Sequence, residues 1–371
     1  KNTYQAMITQ HAWMFLSSFE KLRAKLLLKD TVNMAHLGPR AFEEIGGEVV
    51  QTTSFVLRNS HIADYKGAYC RLIEPTTQQG KEEMFLSGEN RYTAQQSNFS
   101  KIPGSPVAYW VSEAYRDLYC KGEPLRKYAT VFEGLKTRDN ERFLRLWHEV
   151  YSQKWIHYAK GGSFRRWYGN GEYVVNWGKS GDEVRGFKKS SGANFPYYFQ
   201  PTVTYSALTS YKFSGRFVSD QIFGGGGGGI TNSTIIMYIL AFVNTVVFHY
   251  LMNVLSQTLN FEVGQIGQQP IIVEEKSRSR IETITSENVK LSKLDWNSYE
   301  NSWDFKGHPL VLGRLPAPVW GDVPDRVAFQ NTSISYTYQM YWKKACEYRF
   351  EKLKANEEEL NRIFIDIYGL Q

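Results

Sequence analysis

At 371 residues, with 42% hydrophobic and 22% charged residues, the chain is long enough for two or three cored domains and too apolar to be disordered. Lys and Arg number 44 against 37 Asp and Glu, a balance of +7, and the three widely spaced cysteines (Cys70, Cys120, Cys346) offer neither a disulfide framework nor a zinc pattern. That excludes a small cross-linked secreted fold, and the expected compartment is a reducing cytoplasm. The chain starts without Met on an apolar run and shows no recognisable signal peptide, as expected of a piece of a longer protein.

Residues 4–9 read as a strand, Ser17 or Ser18 as the cap of a helix carrying Phe19, Leu22, Leu26 and Leu27, and residues 32–37 as a second strand. Residues 49–57 and 67–73 follow Gly46 and Gly47 and are expected to pair as a hairpin. Strand, helix, strand and then antiparallel strands is how the second half of an α/β domain ends. The strand and glycine-rich turn that open a nucleotide-binding domain are not recognisable ahead of them. Residues 92–110, polar and then proline-bearing, read as a connector, with a domain boundary between 106 and 125.

Residues 121–190 hold 15 Lys/Arg against 8 Asp/Glu, so the whole positive excess of the chain is local to them. Within them, 134–148 begins as a loop (Gly134, Thr137, Asp139, Asn140) and continues with Arg138, Arg142 and Arg145 among Phe143, Leu144, Leu146 and Trp147. Residues 160–177 then alternate guanidinium groups with rings and glycines. Cations that neutralise phosphates, mixed with groups that meet base edges, are the composition of a nucleic-acid surface. An ordinary solvated basic face over an aromatic core has the same composition. By residue type, Arg138 and Asn140 are base readers, Lys160, Arg165, Arg166 and Lys212 suit phosphates, Arg142 is a further DNA-contact candidate, and Trp167 and Tyr168 suit a sugar, an intercalation gap or a buried platform. Arg216 lies in a polar, basic turn and is a second-tier candidate.

Six consecutive glycines, 224–229, lack the strand-turn-helix setting of a cofactor loop and read as a flexible segment. Residues 235–255 are apolar enough to raise a membrane helix, but Asn244, Thr245, His249 and Asn253 favour a buried helix, with His249 as a satisfied core residue and no metal site. Toward the end come Trp296, Trp303 and Phe305, a bend carrying Pro309, Pro316, Pro318 and Pro324, and one long amphipathic helix over 333–367.

Residues 6–23, 36–59, 134–148, 160–177, 258–264, 302–310 and 356–371, in this order and over nearly the whole chain, resemble PglX, the adenine-specific DNA methyltransferase family of BREX phage-defence systems. The resemblance implies that the chain follows the catalytic Asn-Pro-Pro-Tyr motif and the S-adenosylmethionine motif of the family. The Asn-Phe-Pro-Tyr sequence at 194–197 lies too far downstream and lacks the second proline. The implied architecture is α/β followed by α+β. It comprises the end of a Rossmann-like class I methyltransferase sheet (1–110), a mixed α+β target recognition domain (111–272) and a C-terminal helical region (273–371). The resemblance also implies S-adenosylmethionine as methyl donor, held mainly by residues outside this chain. Phe42 matches by position the aromatic that covers the extruded base, with a plain core residue beside the Gly46-Gly47 turn as the alternative. Double-stranded DNA and other BREX proteins are the implied partners, with phage DNA-mimic inhibitors as a further class. Two alternatives stand beside this reading: a restriction-modification fusion enzyme, although the Glu-Glu-Lys sequence at 274–276 has no suitable upstream Asp for a nuclease centre, and a DNA-specificity module without catalysis.

Overall fold

The computed structural model describes residues 3–42, 50–187, 195–209, 212–255, 261–312, 333–338 and 342–370. The expectations at Gly46, Gly47, Asn194 and Pro316 to Pro324 lie outside them. The chain divides into two compact units, Lys1–Glu123 with Asn253–Gln257, and Pro124–Met252 with Thr258–Gln371.

The first unit is built on a five-stranded mixed sheet of β1 (Tyr4–Gln10), β2 (Asp30–Pro39), β3 (Gln51–Arg58), β4 (Lys66–Arg71) and β5 (Arg91–Gln95), in the order β1-β3-β2-β4-β5. β3 runs antiparallel to both β1 and β2, whereas β4 pairs in parallel with β2. β3 and β4 are therefore not the hairpin that their spacing suggested, because β2 lies between them. The crossing is fixed at Asp30, the first residue of β2, whose carboxylate accepts hydrogen bonds from Arg58 Nη2 (2.8 Å), Ser60 Oγ (2.8 Å) and the Ile62 amide (3.0 Å). Burial works to raise the pKa of this carboxyl, but the bonds from Ile62, Ser60 and Arg58 hold it below its ordinary range.

The helix expected near Ser17 begins later, at Glu20–Leu26. A 3-10 turn over Ser17–Phe19 precedes it, and no side chain caps it. The segment expected to be a connector is part of the core. After β5, Phe99, Val107 and Tyr109 are buried, the Val107 amide donates to the Met14 carbonyl, and Tyr109 stacks on Tyr69 with ring centroids 4.6 Å apart. Aromatic burial outweighs the prolines, which only shape the path of the chain.

In the second unit, one four-stranded sheet runs Gly215–Val218, Thr202–Ser206, Gly227–Thr231, Thr130–Glu133. The other runs Ile222–Phe223, Trp155–Ala159, Tyr173–Asn176, Leu144–Leu146. Phe132, Leu135, Phe143, Tyr158, Val175, Tyr198 and Phe223 make a shared core. The six glycines are not a flexible segment. Gly224–Gly226 turn, and Gly227–Gly229 lie in a strand paired on both sides. A side chain at Gly228 would run into the Tyr205 hydroxyl, and one at Gly229 would meet the Phe132 ring at 3.0 Å. The missing side chains make room for rings of neighbouring strands.

The apolar run is two buried helices, Ile236–Val243 and Val246–Leu255, and a 70° bend separates Ile236–Val243 from Val246–Val254. Among the described residues no single helix is long and apolar enough to cross a membrane. Asn244 at the bend bonds both backbone groups of Gly215, accepting from its amide (2.9 Å) and donating to its carbonyl (3.0 Å). His249 donates from Nε2 to the Phe213 carbonyl (2.8 Å), and burial lowers its pKa to about 4 despite that bond, so it is a satisfied neutral residue. Helix Glu275–Trp296 packs against helix Lys343–Tyr368, with Arg280 to Glu359 and Asn356 to Asn288 bonds setting an antiparallel register. Of the single helix expected over 333–367, Ile334–Thr337 and Lys343–Tyr368 are helical, and residues 339–341 between them lie outside the described residues.

Candidate nucleic-acid interface

The loop carrying Arg138 leaves the Thr130–Glu133 strand and is anchored at its root. The Leu135 amide donates to the Phe223 carbonyl (2.8 Å), and the Leu135 carbonyl accepts from the Gly225 amide (2.8 Å) and from Tyr158 Oη (2.7 Å). Gly134 lies against the Phe223 and Gly224 carbonyls so closely that no Cβ fits. Beyond this root, buried Thr137 donates from Oγ1 to Asn140 Oδ1 (2.6 Å), and Asp139 caps the short Asn140–Phe143 helix by accepting from the Arg142 amide (3.1 Å). Between them Arg138 is exposed and held at φ +58°, a left-handed conformation that costs a non-glycine residue about 1 kcal/mol and is characteristic of functional loops. Among the described residues Arg138 has no ion-pair partner. Arg142 is half exposed and bridges Glu183 at 2.8 Å; Arg138, Asn140 and Glu141 are exposed beside it.

The second basic stretch splits by burial. Lys160 sits over the Tyr173 ring with Nζ 4.0 Å from its centroid, and Lys212 is exposed. From Arg165 onward the chain turns inward. Trp167, at φ +69° and 2% exposed, donates its amide to the Gly215 carbonyl (2.9 Å) and accepts from the Phe217 amide (2.8 Å), so the loop runs as a third element beside the Gly215–Val218 strand. The carboxylate of Glu357, on the last helix, accepts from Arg166 Nη1 (2.6 Å) and Trp167 Nε1 (2.7 Å). Arg165 lies over the Trp296 ring at 4.7 Å. Arg216 is also 2% exposed, bonded to the Arg165 carbonyl (3.3 Å) and to Ser206 Oγ (3.4 Å), and burial followed by repulsion from Arg165 lowers its pKa to about 10. Arg216, a second-tier candidate for DNA contact, is thus an interior residue, and Trp167 takes the buried alternative, beneath the last helix.

Tyr168 lines a cavity of about 270 Å³ with His157, Arg216, Lys293, Trp303 and Asp304. Burial raises the Tyr168 pKa to about 12 and lowers that of His157, so both are uncharged at neutral pH. Sequence reading missed Glu357 and the contact of Trp296 with Arg165, because both partners lie more than 100 residues from the residues they meet and no local spacing signals them. Among the described residues no group of three or more His, Cys, Asp or Glu is placed to hold a metal. Phe42 lies in the other unit, three residues after the carboxyl end of β2, and is 44% exposed.

No family model matches the sequence. Among curated proteins, the adenine-specific methyltransferase PglX of Lacticaseibacillus casei (strain Zhang) is 37% identical over the whole chain, which spans 32% of that relative. The adenine-specific methyltransferase BrxX of Escherichia coli O9:H4 (strain HS) is 32% identical, again over the whole chain, which spans 30% of it. Among solved structures, the type IIL restriction-modification enzyme MmeI in complex with DNA matches 99% of the chain and 47% of its own length, with a TM-score of 0.56 at 12% identity. A nuclease-deletion mutant of the type ISP enzyme LlaGI with a DNA substrate mimic matches 78% of the chain and 35% of its own length, with a TM-score of 0.50 at 8% identity. The mixed α/β fold is therefore one that restriction-modification enzymes also use, and the chain is, from end to end, PglX-like, spanning about a third of the length of the curated adenine-specific methyltransferases it matches.

Proposed function

We propose that this chain supplies target recognition and one wall of the base pocket for an S-adenosylmethionine-dependent N6-adenine DNA methyltransferase of a BREX defence system, acting in the cytoplasm with other BREX proteins. The observation that carries this reading is the end-to-end similarity to two adenine-specific methyltransferases. The parallel run of β1, β2 and β4, with β3 antiparallel between the first two, supports a Rossmann-like origin for the first unit.

N6 methylation requires the adenine to leave the duplex and stack in a pocket. Phe42, exposed beyond the carboxyl end of a parallel strand, is the proposed stacking wall. In the second unit, Arg138 and Asn140 are the proposed base readers, and Arg142, Lys160 and Lys212 the phosphate contacts. Arg165, Arg166 and Tyr168 border this surface, and Trp167 and Arg216 support it from inside. S-adenosylmethionine would supply the methyl group. The glycine-rich run here is a packed strand, not a cofactor loop, so the donor is proposed to be held outside this chain.

Mapping N6-methyladenine across the genome of cells carrying the full parent protein, with and without Phe42→Ala, tests the reading. A single modified motif that disappears in the variant supports it. Persistent methylation returns Phe42 to a packing role. No modified motif with the wild-type protein refutes the methyltransferase reading in favour of a non-catalytic specificity module.

A further inference from the structure

β1, β2 and β4 all run in one direction, so their carboxyl ends share one edge of the sheet. His11 follows β1 directly, Phe42 comes three residues after β2, and Arg71 is the last residue of β4. Just inside this edge, His36 Nε2 lies 2.8 Å from His11 Nδ1, a hydrogen bond between two buried imidazoles. The other nitrogen of His36, Nδ1, is buried without a partner, and so is Arg71 Nε. His36 and Arg71 are register partners on adjacent strands, and both pack on Trp110, with the imidazole centroid at 6.2 Å and the guanidinium carbon at 5.4 Å. The charges that act on His36 include those of Arg71 and Lys81, and Arg71 is itself paired with Glu74. Arg71 is beside it, and the ammonium of Lys81 is held by the carbonyls of Leu37 (2.7 Å) and Leu72 (2.6 Å).

One pair of tautomers is favoured. A buried lone pair without a partner costs less than a buried N–H without one, and the nearby positive charges of Arg71 and Lys81 act in the same direction, so we assign the bare nitrogen to His36 Nδ1 and the hydrogen to Nε2. His36 Nε2 then donates to His11 Nδ1, and His11 must carry its own hydrogen at Nε2. His11 is 5% exposed, so its ring is held in place, and its Nε2 is not among the fully enclosed unpartnered polar atoms. A neutral imidazole with a fixed tautomer is a directional hydrogen-bond donor.

We propose that His11 Nε2 donates a hydrogen bond to a ring nitrogen of the adenine presented at this edge, and that His36 and Arg71 are positioning residues that fix its tautomer and direction. This rests on the methyltransferase reading above. No charge and no covalent step are involved: the donor recognises the acceptor pattern of the base and holds it in register with the methyl donor.

The experiment measures methyl transfer by the full parent protein to duplexes whose target adenine is replaced by 1-deaza-, 3-deaza- or 7-deaza-adenine. Losing the contacted ring nitrogen should slow transfer roughly five- to tenfold for one analogue. His11→Phe should slow transfer to adenine by a similar factor and abolish the discrimination. His11→Gln, which restores an N–H donor, should regain it, and His36→Phe should weaken it by raising KM more than it lowers kcat. Equal rates for adenine and all three analogues with the wild-type protein overturn the proposal, as does a His11→Phe protein that still discriminates. Should His11→Phe fail to fold, the wild-type and His11→Gln arms decide. Absence of any transfer to adenine by the wild-type protein refutes the methyltransferase reading itself and this proposal with it.

Discussion

Glu357→Ala is the perturbation that most directly tests how the basic loop is held. The carboxylate accepts from Arg166 at 2.6 Å and from the Trp167 indole at 2.7 Å, and the Arg166 and Glu357 side chains are 22% and 24% exposed. Removing it deletes two hydrogen bonds to a charged acceptor, one of them an ion pair, and leaves the buried indole N–H without an acceptor. A charge-assisted bond contributes about 1.5–3 kcal/mol and an orphaned buried donor costs about 1–3 kcal/mol. Because the ion pair is about a quarter exposed, water screens and partly replaces it, and the expected net loss is about 2–3 kcal/mol. For a unit of this size that lowers Tm by roughly 4–12 °C, read by calorimetry or dye-binding melts of the full protein. Glu357→Gln, which keeps an acceptor but not the charge, should recover about half. DNA binding should weaken with the destabilisation, because the loop between Lys160 and Tyr168 loses its inner fastening. A loss under about 0.5 kcal/mol for Glu357→Ala would refute the claim that this carboxylate fastens the loop.

Arg138→Ala should weaken binding to one target sequence selectively, whereas Lys160→Ala should weaken binding to all DNA and reduce the slope of log affinity against log salt by about one; salt-titrated binding with cognate and scrambled duplexes separates the two. Gly228→Ala should destabilise the second unit by about 1–3 kcal/mol, seen as a lower urea midpoint, because the methyl displaces the Tyr205 hydroxyl. Burial lowers the His11 pKa from 6.5 to about 4, and burial with the His11, Arg71 and Lys81 charges lowers that of His36 to about 3. Both folded values lie below the unfolded one, so the unfolded chain takes up protons first as the pH falls. Stability should therefore be full above about pH 6.5 and decline toward pH 4, by up to about 1.4 kcal/mol per pH unit for each histidine. Urea midpoints at pH 7, 6 and 5 should show a shallower decline for His11→Gln than for the wild-type protein.

Periodicity made several elements legible: β2 and β3, the last helix, and the buried helical character of residues 235–255; the Glu275–Trp296 helix and the break at Asn244 were not read from it. It could not show that β2 separates β3 from β4, because strand neighbours are chosen by a clasp at Asp30 built from residues up to 32 positions away. The glycine run misled in the opposite way. Backbone freedom is what six glycines suggest in isolation, whereas the rings of Tyr158, Tyr205 and Phe132 occupy the space that side chains would need. At the candidate interface, residue type identified the cations, and the loop residues Thr137, Asp139 and Asn140 were visible as turn formers. Which cations face outward depended on Glu357 and Trp296, contributed by distant helices. The resemblance to PglX methyltransferases was carried by long ordered runs of residues, which survive differences in local packing.

The anchoring of the Arg138 loop has a consequence for how recognition can change over time. Its root is fastened by main-chain bonds between Leu135 and the Phe223–Gly225 turn, and the side chain of Leu135 is fully buried. Bonds between backbones are indifferent to the identity of the residues at 138 and 140. The tip can therefore be rewritten while its mount stays constant, as a tool holder accepts different bits. On the proposed reading, in which residues 138 and 140 meet base edges, exchange of a few tip residues would alter the sequence being read without a compensating change in the strands beneath.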